Sequence, residues 1–455
     1  MSNKVSERAI KPSEKQSGKG KSITLLSILS FVLAFLIVMT FISFPVGIHN
    51  YNGVLGAMDL DYDLAGGTAY TLTIADDNLE EVENVDEVVN VLRYRMSELG
   101  YQVFSVKALK STETGVEDYE IRIEAKTTTS IEQDVSVATA YGKVVIYGGT
   151  SENPTTEILT ENKAIADCRY TGSYVGSDNK TYYNVAIVFT DYAYNELMKE
   201  IDNATASDSN YYIQINLGDT VLVSGSSAIT KSIFSNKTIG IQTNSEATAR
   251  QTALQIRTGG LAYKYDVSDG VEITSPYGAN VALMSVLTVV AIVVLAIAGY
   301  ILKFKGAGII PAMSLLSFIV LETLMLIAFP GITVSLGSVL GIIVSTVVVT
   351  AMLYYVADKT DREFKYSQKT VKAAVKKAIK DTMMPSISVC GISAVLGLLL
   401  LAFTAGVVKG FAITLVIGAA IGAITLLAFN RMYANLIVSA CSANENFLNL
   451  KREEM

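Results

Sequence analysis

Five apolar runs of membrane-crossing length follow one another near the C-terminal end of the chain, at about 281–302, 309–329, 332–356, 386–404 and 410–438. A sixth, Ile23 to Ile48, carries no charge. About 20 residues of helix span a hydrocarbon core of about 30 Å, so each run is predicted to be a transmembrane helix. The last four form two pairs with a basic stretch between them. Half of the 455 residues are apolar and 17% are charged, with a mean hydropathy of +0.38, too apolar for a water-soluble chain of this size.

Basic residues choose the sides. Residues 1–22 carry Lys4, Arg8, Lys11, Lys15, Lys19 and Lys21, and read as a disordered tail. With six spans this tail falls on the same side as Lys303, Lys305, the 357–384 loop, Arg431, Lys451 and Arg452. The positive-inside rule makes that side cytoplasmic. The expected division is a cytoplasmic tail at 1–22, a first span at 23–48, an extracytoplasmic domain at 49–278, spans two to six within 279–440, and a cytoplasmic tail at 441–455. Phe44-Pro45-Val46-Gly47 is a poor cleavage site, so the first span is read as uncleaved. The basic residues from Lys359 to Lys380 read as a solvated helical face that sets topology, in preference to a docking surface.

The 49–278 segment alternates strand and helix patterns. Thr68 to Ile74 alternates as a strand, and Asp86 to Leu99 places apolar residues at helical spacing, stopped by Gly100. Val103–Leu109 and Tyr119–Ala125 read as two more strands. Strand, helix, strand, strand is half of a ferredoxin-like α+β sandwich. The helix Glu246 to Arg257 and the strand Ala262 to Val267 would complete it. This base, 57–127 with 241–270, would carry an inserted head at about 130–240, containing the strand Tyr183–Phe189, the helix Asp191–Ile201 and a hairpin around Gly218-Asp219.

Several function classes lack parts. His49, the single histidine, reads as an interfacial residue, so histidine-based metal sites and catalytic triads are missing. Of Cys168, Cys390 and Cys441 only the first lies in the soluble segment, which excludes an internal disulfide there. No Gly-rich stretch continues into the Gly-Lys-Ser/Thr of a phosphate loop. The acids Asp59, Asp61 and Asp63 read as a solvated strand edge, since the Gly and Glu positions of a calcium loop are absent. A net charge of −7 argues against nucleic acid. No enzyme, metal or cofactor is expected.

Four segments carry a family resemblance. Asp61-Tyr-Asp-Leu-Ala-Gly-Gly67, with Asp61, Asp63, Gly66 and Gly67, resembles a Gly-Leu-Asp-Leu-x-Gly-Gly box. Val91-Leu-Arg-Tyr-Arg-Met-Ser-Glu-Leu-Gly100, with Arg93 and Arg95, resembles an "LRxRxxxLG" helix. Gln255-Ile-Arg-Thr-Gly-Gly-Leu-Ala262, with Arg257 and Gly259, resembles an "LRaGaLpa" segment. Gly406-Val-Val-Lys-Gly-Phe-Ala-Ile-Thr-Leu-Val-Ile-Gly418, with Lys409, Gly410 and Phe411, resembles a "GpvKGFAvTLsiGi" box. Their order and the topology resemble SecD, the accessory subunit of the bacterial protein-secretion translocon in the resistance-nodulation-division superfamily.

The resemblance implies six transmembrane helices with a large extracytoplasmic α+β domain, a ferredoxin-like base bearing a head. It implies the partners SecF, SecYEG, SecA and an unfolded preprotein, in the bacterial plasma membrane, with proton flow as the energy source. The family's Asp-Ala-Asn element in the fourth span falls on Thr350-Ala351-Met352, and a second family carboxylate falls near Ser388 or Val389. The relay positions Thr350, Met352 and Ser388 are therefore substituted. Glu322 is the one acid expected at membrane depth, which makes it the ion-coupling candidate. The alternatives are a neutral packing Glu, a carboxylate satisfied by the partner, or a chain that has lost proton coupling. A small-molecule or lipid exporter half of the same superfamily is the rival reading. Gly418 and Gly422 are spaced for close helix packing.

Overall fold

The computed structural model describes residues 12–42, 44–46, 49–51, 53–75, 85–110, 119–149, 154–160, 164–176, 179–206, 212–224, 236–261, 264–329, 331–366, 370–404, 406–441 and 445–448. Residues 1–11, Lys451 and Arg452 lie outside them. Two compact units result, one made of the chain up to Ala65 together with Thr274 onward, the other of Gly66–Ile273.

The first unit begins with α1 (Pro12–Phe41), the hairpin β1 (Phe44–Val46) and β2 (His49–Tyr51), and the short α2 (Val54–Ala57) and α3 (Tyr62–Ala65). Two expectations are corrected here. Helix already starts within the tail, at Pro12, and the first span ends at Phe41 rather than Ile48. Pro45 has no N–H to continue the helical ladder, and the chain pairs as a hairpin instead.

Gly66–Ile273 contains β3 (Gly67–Ile74), α4 (Val85–Glu98), β4 (Phe104–Lys110), β5 (Tyr119–Ala125), α5 (Ile131–Ala138), β6 (Val144–Gly149), β7 (Thr156–Thr160), β8 (Ile165–Val175), β9 (Thr181–Phe189), α6 (Asp191–Ala206), β10 (Tyr212–Leu217), β11 (Thr220–Ser224), β12 (Thr238–Thr243), α7 (Glu246–Thr258), β13 (Tyr265–Val267) and β14 (Val271–Ile273). One sheet has the order β13-β3-β5-β4, with β14 also on β3. All its pairs are antiparallel, the ferredoxin-like arrangement. Two further sheets, β11-β10-β6-β7 and β12-β9-β8, build the insert.

The second helix of the sandwich is α5, not the expected 246–257. Ile131, Val135 and Ala138 of α5 join Leu72, Leu92, Met96 and Ile123 in the base core. Ala249, Ala253 and Ile256 of α7 pack instead with Val185, Ile187, Ile239 and Ile241 of the insert. Both helices carry an i, i+4, i+7 apolar stripe. Such a stripe demands a sheet without specifying which one. β12 likewise belongs to the insert, paired with β9, whereas β13 joins β3 as expected.

The chain then returns to the first unit with α8 (Val281–Phe304), α9 (Ile309–Ala328), α10 (Leu336–Tyr366), α11 (Val371–Phe403), α12 (Val407–Ile424), α13 (Asn430–Ala440) and α14 (Glu445–Leu448). Among the described residues five helical stretches are long and apolar enough to cross a membrane. Val281–Ala328 holds two of the helices, α8 and α9, around the turn Lys305–Gly308, which makes six in all. A π-helical turn, Thr425–Phe429, joins α12 to α13. The 357–384 stretch is no loop, because α10 runs to Tyr366 and α11 starts at Val371. The basic helices have apolar inner faces: Phe364, Val371, Ala374 and Val375 pack on Tyr433, Ala434, Ile437 and Val438.

Candidate functional site

At the centre of the bundle, small residues let three helices meet. A Cβ built on Gly418 of α12 would stand 2.3 Å from the Cβ of Ser345 on α10 and 2.7 Å from Oε1 of Glu322 on α9. A Cβ on Gly422 would stand 2.8 Å from Val349. The glycine spacing thus does what small-xxx-small contacts do in membranes, bringing backbones together. Glu322 is only 1% exposed in this gap. Ser345 Oγ donates to its Oε1 at 2.7 Å, and Oε2 has no hydrogen-bond partner among the described residues.

Buried polar groups continue along the same helices. Ser317 Oγ and the Tyr433 hydroxyl lie 2.8 Å apart, and Ser314 Oγ donates to Asn430 Oδ1 at 3.4 Å. Thr350 Oγ1 and Thr425 Oγ1 are buried without a hydrogen-bond partner among the described residues. The substituted relay positions do not come together around Glu322. The Thr350 carbonyl accepts the Tyr300 hydroxyl at 2.8 Å, Met352 packs in the apolar core, and Ser388 is exposed.

Of the three acids expected on a solvated strand edge, only Asp59 is exposed. Asp61 and Asp63 are each 3% exposed, and Tyr62–Ala65 is helical. Leu60 bridges Val334 in parallel; Asp61 N–H donates to the Val334 carbonyl at 2.9 Å and Val334 N–H to the Asp59 carbonyl at 2.8 Å. Asp63 Oδ2 accepts the Leu336 N–H at 2.8 Å, at the first residue of α10. Ser275 Oγ donates to the Asp63 carbonyl at 2.6 Å. Burial pushes the Asp63 carboxyl up to about 6; the Leu336 N–H opposes this and the Asp61 charge adds to it. Periodicity gave no hint of this knot, because its partners are far apart in sequence.

Within Gly66–Ile273 two of the quoted segments meet. Arg95 is fully buried on α4. Its guanidinium donates to Thr258 Oγ1 at 2.9 Å, to the Gly259 carbonyl at 2.7 Å, and to the carbonyls of Ala138 and Ala140 at 2.8 and 3.0 Å. These acceptors lie at the C-terminal ends of α7 and α5, where helix carbonyls lack intrahelical partners and carry partial negative charge. Arg257 forms an ion pair with Glu98. Arg93 is the exposed arginine of the pair and donates to the Val106 carbonyl at 3.0 Å.

Glycines close the remaining gaps. Gly66 has φ 85°, and a Cβ on Gly67 would stand 2.0 Å from the Ala125 carbonyl oxygen, so the first allows the turn and the second the close approach. Gly410, between half-buried Lys409 and Phe411, faces the hydroxyls of Ser335 and Ser338. Among the described residues no group of three or more His, Cys, Asp or Glu is placed to hold a metal ion.

No family model and no curated protein matches the sequence. Among solved structures, the fold is similar to that of SecDF in a super-membrane-facing form, with a TM-score of 0.68 and 16% identity over 93% of this chain and 58% of that one. A second SecDF structure, from a Thermus species and described as a translocon-associated membrane protein, is 15% identical over 92% and 59% of the two chains, with a TM-score of 0.42. The chain thus spans less than two thirds of the length of the SecDF it matches. The likeness to the first structure is one of fold: a six-helix membrane protein with a β-rich domain.

Proposed function

We propose that this chain is a SecD-like subunit that assists preprotein export, working with a SecF-like subunit beside a SecYEG channel driven by SecA. The observation that carries this reading is a shared fold over nearly the whole chain. The four motif segments support it: two of them meet at Arg95 and Gly259, and a third begins α12 against Ser335 and Ser338. In this reading the termini are cytoplasmic, Gly66–Ile273 is extracytoplasmic, and it handles emerging polypeptide without converting a metabolite. The test is to purify the tagged chain from membranes after crosslinking. SecF- and SecY-like chains are expected to copurify, and depletion is expected to raise unprocessed preprotein several-fold. A chain that purifies alone, with export unimpaired on depletion, overturns the reading.

An exporter half of the same superfamily is the second reading. What favours it is an apolar cavity of about 300 Å³ lined by Ile37 of α1, Val290, Val293 and Ile297 of α8, and Leu316 and Ile319 of α9. Efflux of an apolar compound by the chain with no secretion channel beside it would select this alternative.

Glu322 is the proton-responsive group of the proposal. A carboxylate in a membrane bundle is costly and marks function by default. Glu322→Gln keeps an acceptor for Ser345 Oγ and removes the titrating proton. Export is expected to fall about tenfold and to lose its response to proton-motive force, measured with a radiolabelled preprotein in inverted vesicles. Unchanged export with an unchanged response assigns Glu322 to packing, and leaves the energy input to another subunit.

A further inference from the structure

The knot at α3 joins three stretches of the first unit. Asp59–Ala65 leads into Gly66–Ile273, Thr274–Asn280 leads out of it, and the Gly331–Ser338 segment opens α10. Asp63 lies at the crossing: its side chain holds Leu336 of α10 and its carbonyl holds Ser275 of the outgoing connector. Its Oδ1 is buried without a hydrogen-bond partner among the described residues, and the residue is only 3% exposed. An ionised carboxylate needs more than one donor to replace the water it leaves. The N-terminus of the 31-residue α10 supplies one N–H and its partial positive charge, and the N–H groups of Asp63 and Leu64 add a smaller pull toward the ionised form, which burial outweighs.

Few charged groups surround it. On its own segment lie Asp59, which is exposed, and Asp61, whose charge opposes ionisation. The outgoing connector contributes only Tyr277 as a titratable group, and 331–341 contributes none. Lys409, beside Gly410, is the basic residue at the start of α12. The single histidine, His49, is in β2.

We propose that Asp63 is a proton-binding site that latches both connectors of the Gly66–Ile273 unit to the start of α10, closed when protonated and released when ionised. This stands apart from the translocation reading. The sign follows from linkage. A carboxyl that holds its proton more tightly in the closed knot than in water makes protonation favour closure. The advantage is complete below the ordinary value of 3.8 and is lost as pH rises through about 6. Between pH 5 and pH 8 the open-to-closed ratio then rises on the order of tenfold.

The test places spin labels at Tyr277 and Leu340, both exposed, in the full chain reconstituted in lipid nanodiscs, with its three native cysteines replaced by alanine. Pulsed dipolar spectroscopy reads the label-to-label distance. The population at longer distance is expected to grow about tenfold from pH 5 to pH 8, with a midpoint near 6. Asp63→Asn is expected to stay at the short distance throughout. Asp61→Asn, which keeps the titrating group but removes the like charge, is expected to move the midpoint down. His49→Gln is expected to leave the midpoint in place. A distribution that does not change with pH, an Asp63→Asn chain that keeps the wild-type response, or a midpoint that follows His49 overturns the proposal. If Asp63→Asn does not fold, an Asp61→Asn midpoint that stays put overturns it as well.

Discussion

Arg95→Ala is expected to destabilise Gly66–Ile273 by about 3–5 kcal/mol, because each buried acceptor left unsatisfied costs about 1–3 kcal/mol and a cavity opens beside them. The side chain is fully buried, and its hydrogen bonds include four to acceptors at the C-terminal ends of two other helices. Truncation strands the Ala138, Ala140 and Gly259 carbonyls in a cavity of guanidinium size. At roughly 2–4 °C per kcal/mol for a unit of this size, the apparent Tm falls by about 10 °C. Protease resistance of this unit within the full chain, followed against temperature, reads the change. Arg95→Lys is expected to recover little, because an ammonium cannot address acceptors spread over a planar fork. Arg93→Ala supplies the contrast: one bond from an exposed guanidinium predicts a change within about 0.5 kcal/mol. Equal effects at the two positions would show that Arg95 is not the clamp between α4, α5 and α7.

The second large effect is expected in the bundle. Gly418→Val puts a branched side chain where even a Cβ would lie 2.3 Å from the Cβ of Ser345. Ser345 and Glu322, which meet it, sit on α10 and α9, so helices must separate, and overpacking alone costs about 1–3 kcal/mol. Separation also pulls Ser345 from Glu322, since all three residues share the gap. Engineered cysteines on α10 and α12 are expected to lose at least four-fifths of their crosslinking yield, and the purified protein to aggregate at lower temperature. Gly299→Ala and Gly391→Ala are the controls, because among the described residues nothing beyond the helix's own backbone lies within 4 Å of a Cβ at either position. A Gly418→Val chain with normal crosslinking would mean that α10 and α12 do not pack through this glycine.

Much of this was legible in the chain. The strand Tyr119–Ala125 and the hairpin around Gly218-Asp219 fall where the sequence pattern placed them, and the apolar runs fall on the spanning helices. Gly418 and Gly422 were readable as a helix contact because their spacing is local. The helix at Glu246 was also legible as an element, but its neighbour was not. Its Ala249, Ala253 and Ile256 stripe fits either sheet, and the insert claimed it because α5 had already filled the base.

By itself, then, the sequence determined which stretches are long and apolar enough to cross a membrane, which alternate as strands, and that one acid lies inside an apolar run, since hydropathy and periodicity depend only on near neighbours. Only the tertiary structure decided that Glu322 faces Ser345, that Arg95 binds two helix ends, and that Asp63 is buried against Leu336. Each of these contacts joins residues at least 20 positions apart, and no local pattern encodes which distant backbone will arrive to accept or donate the bond.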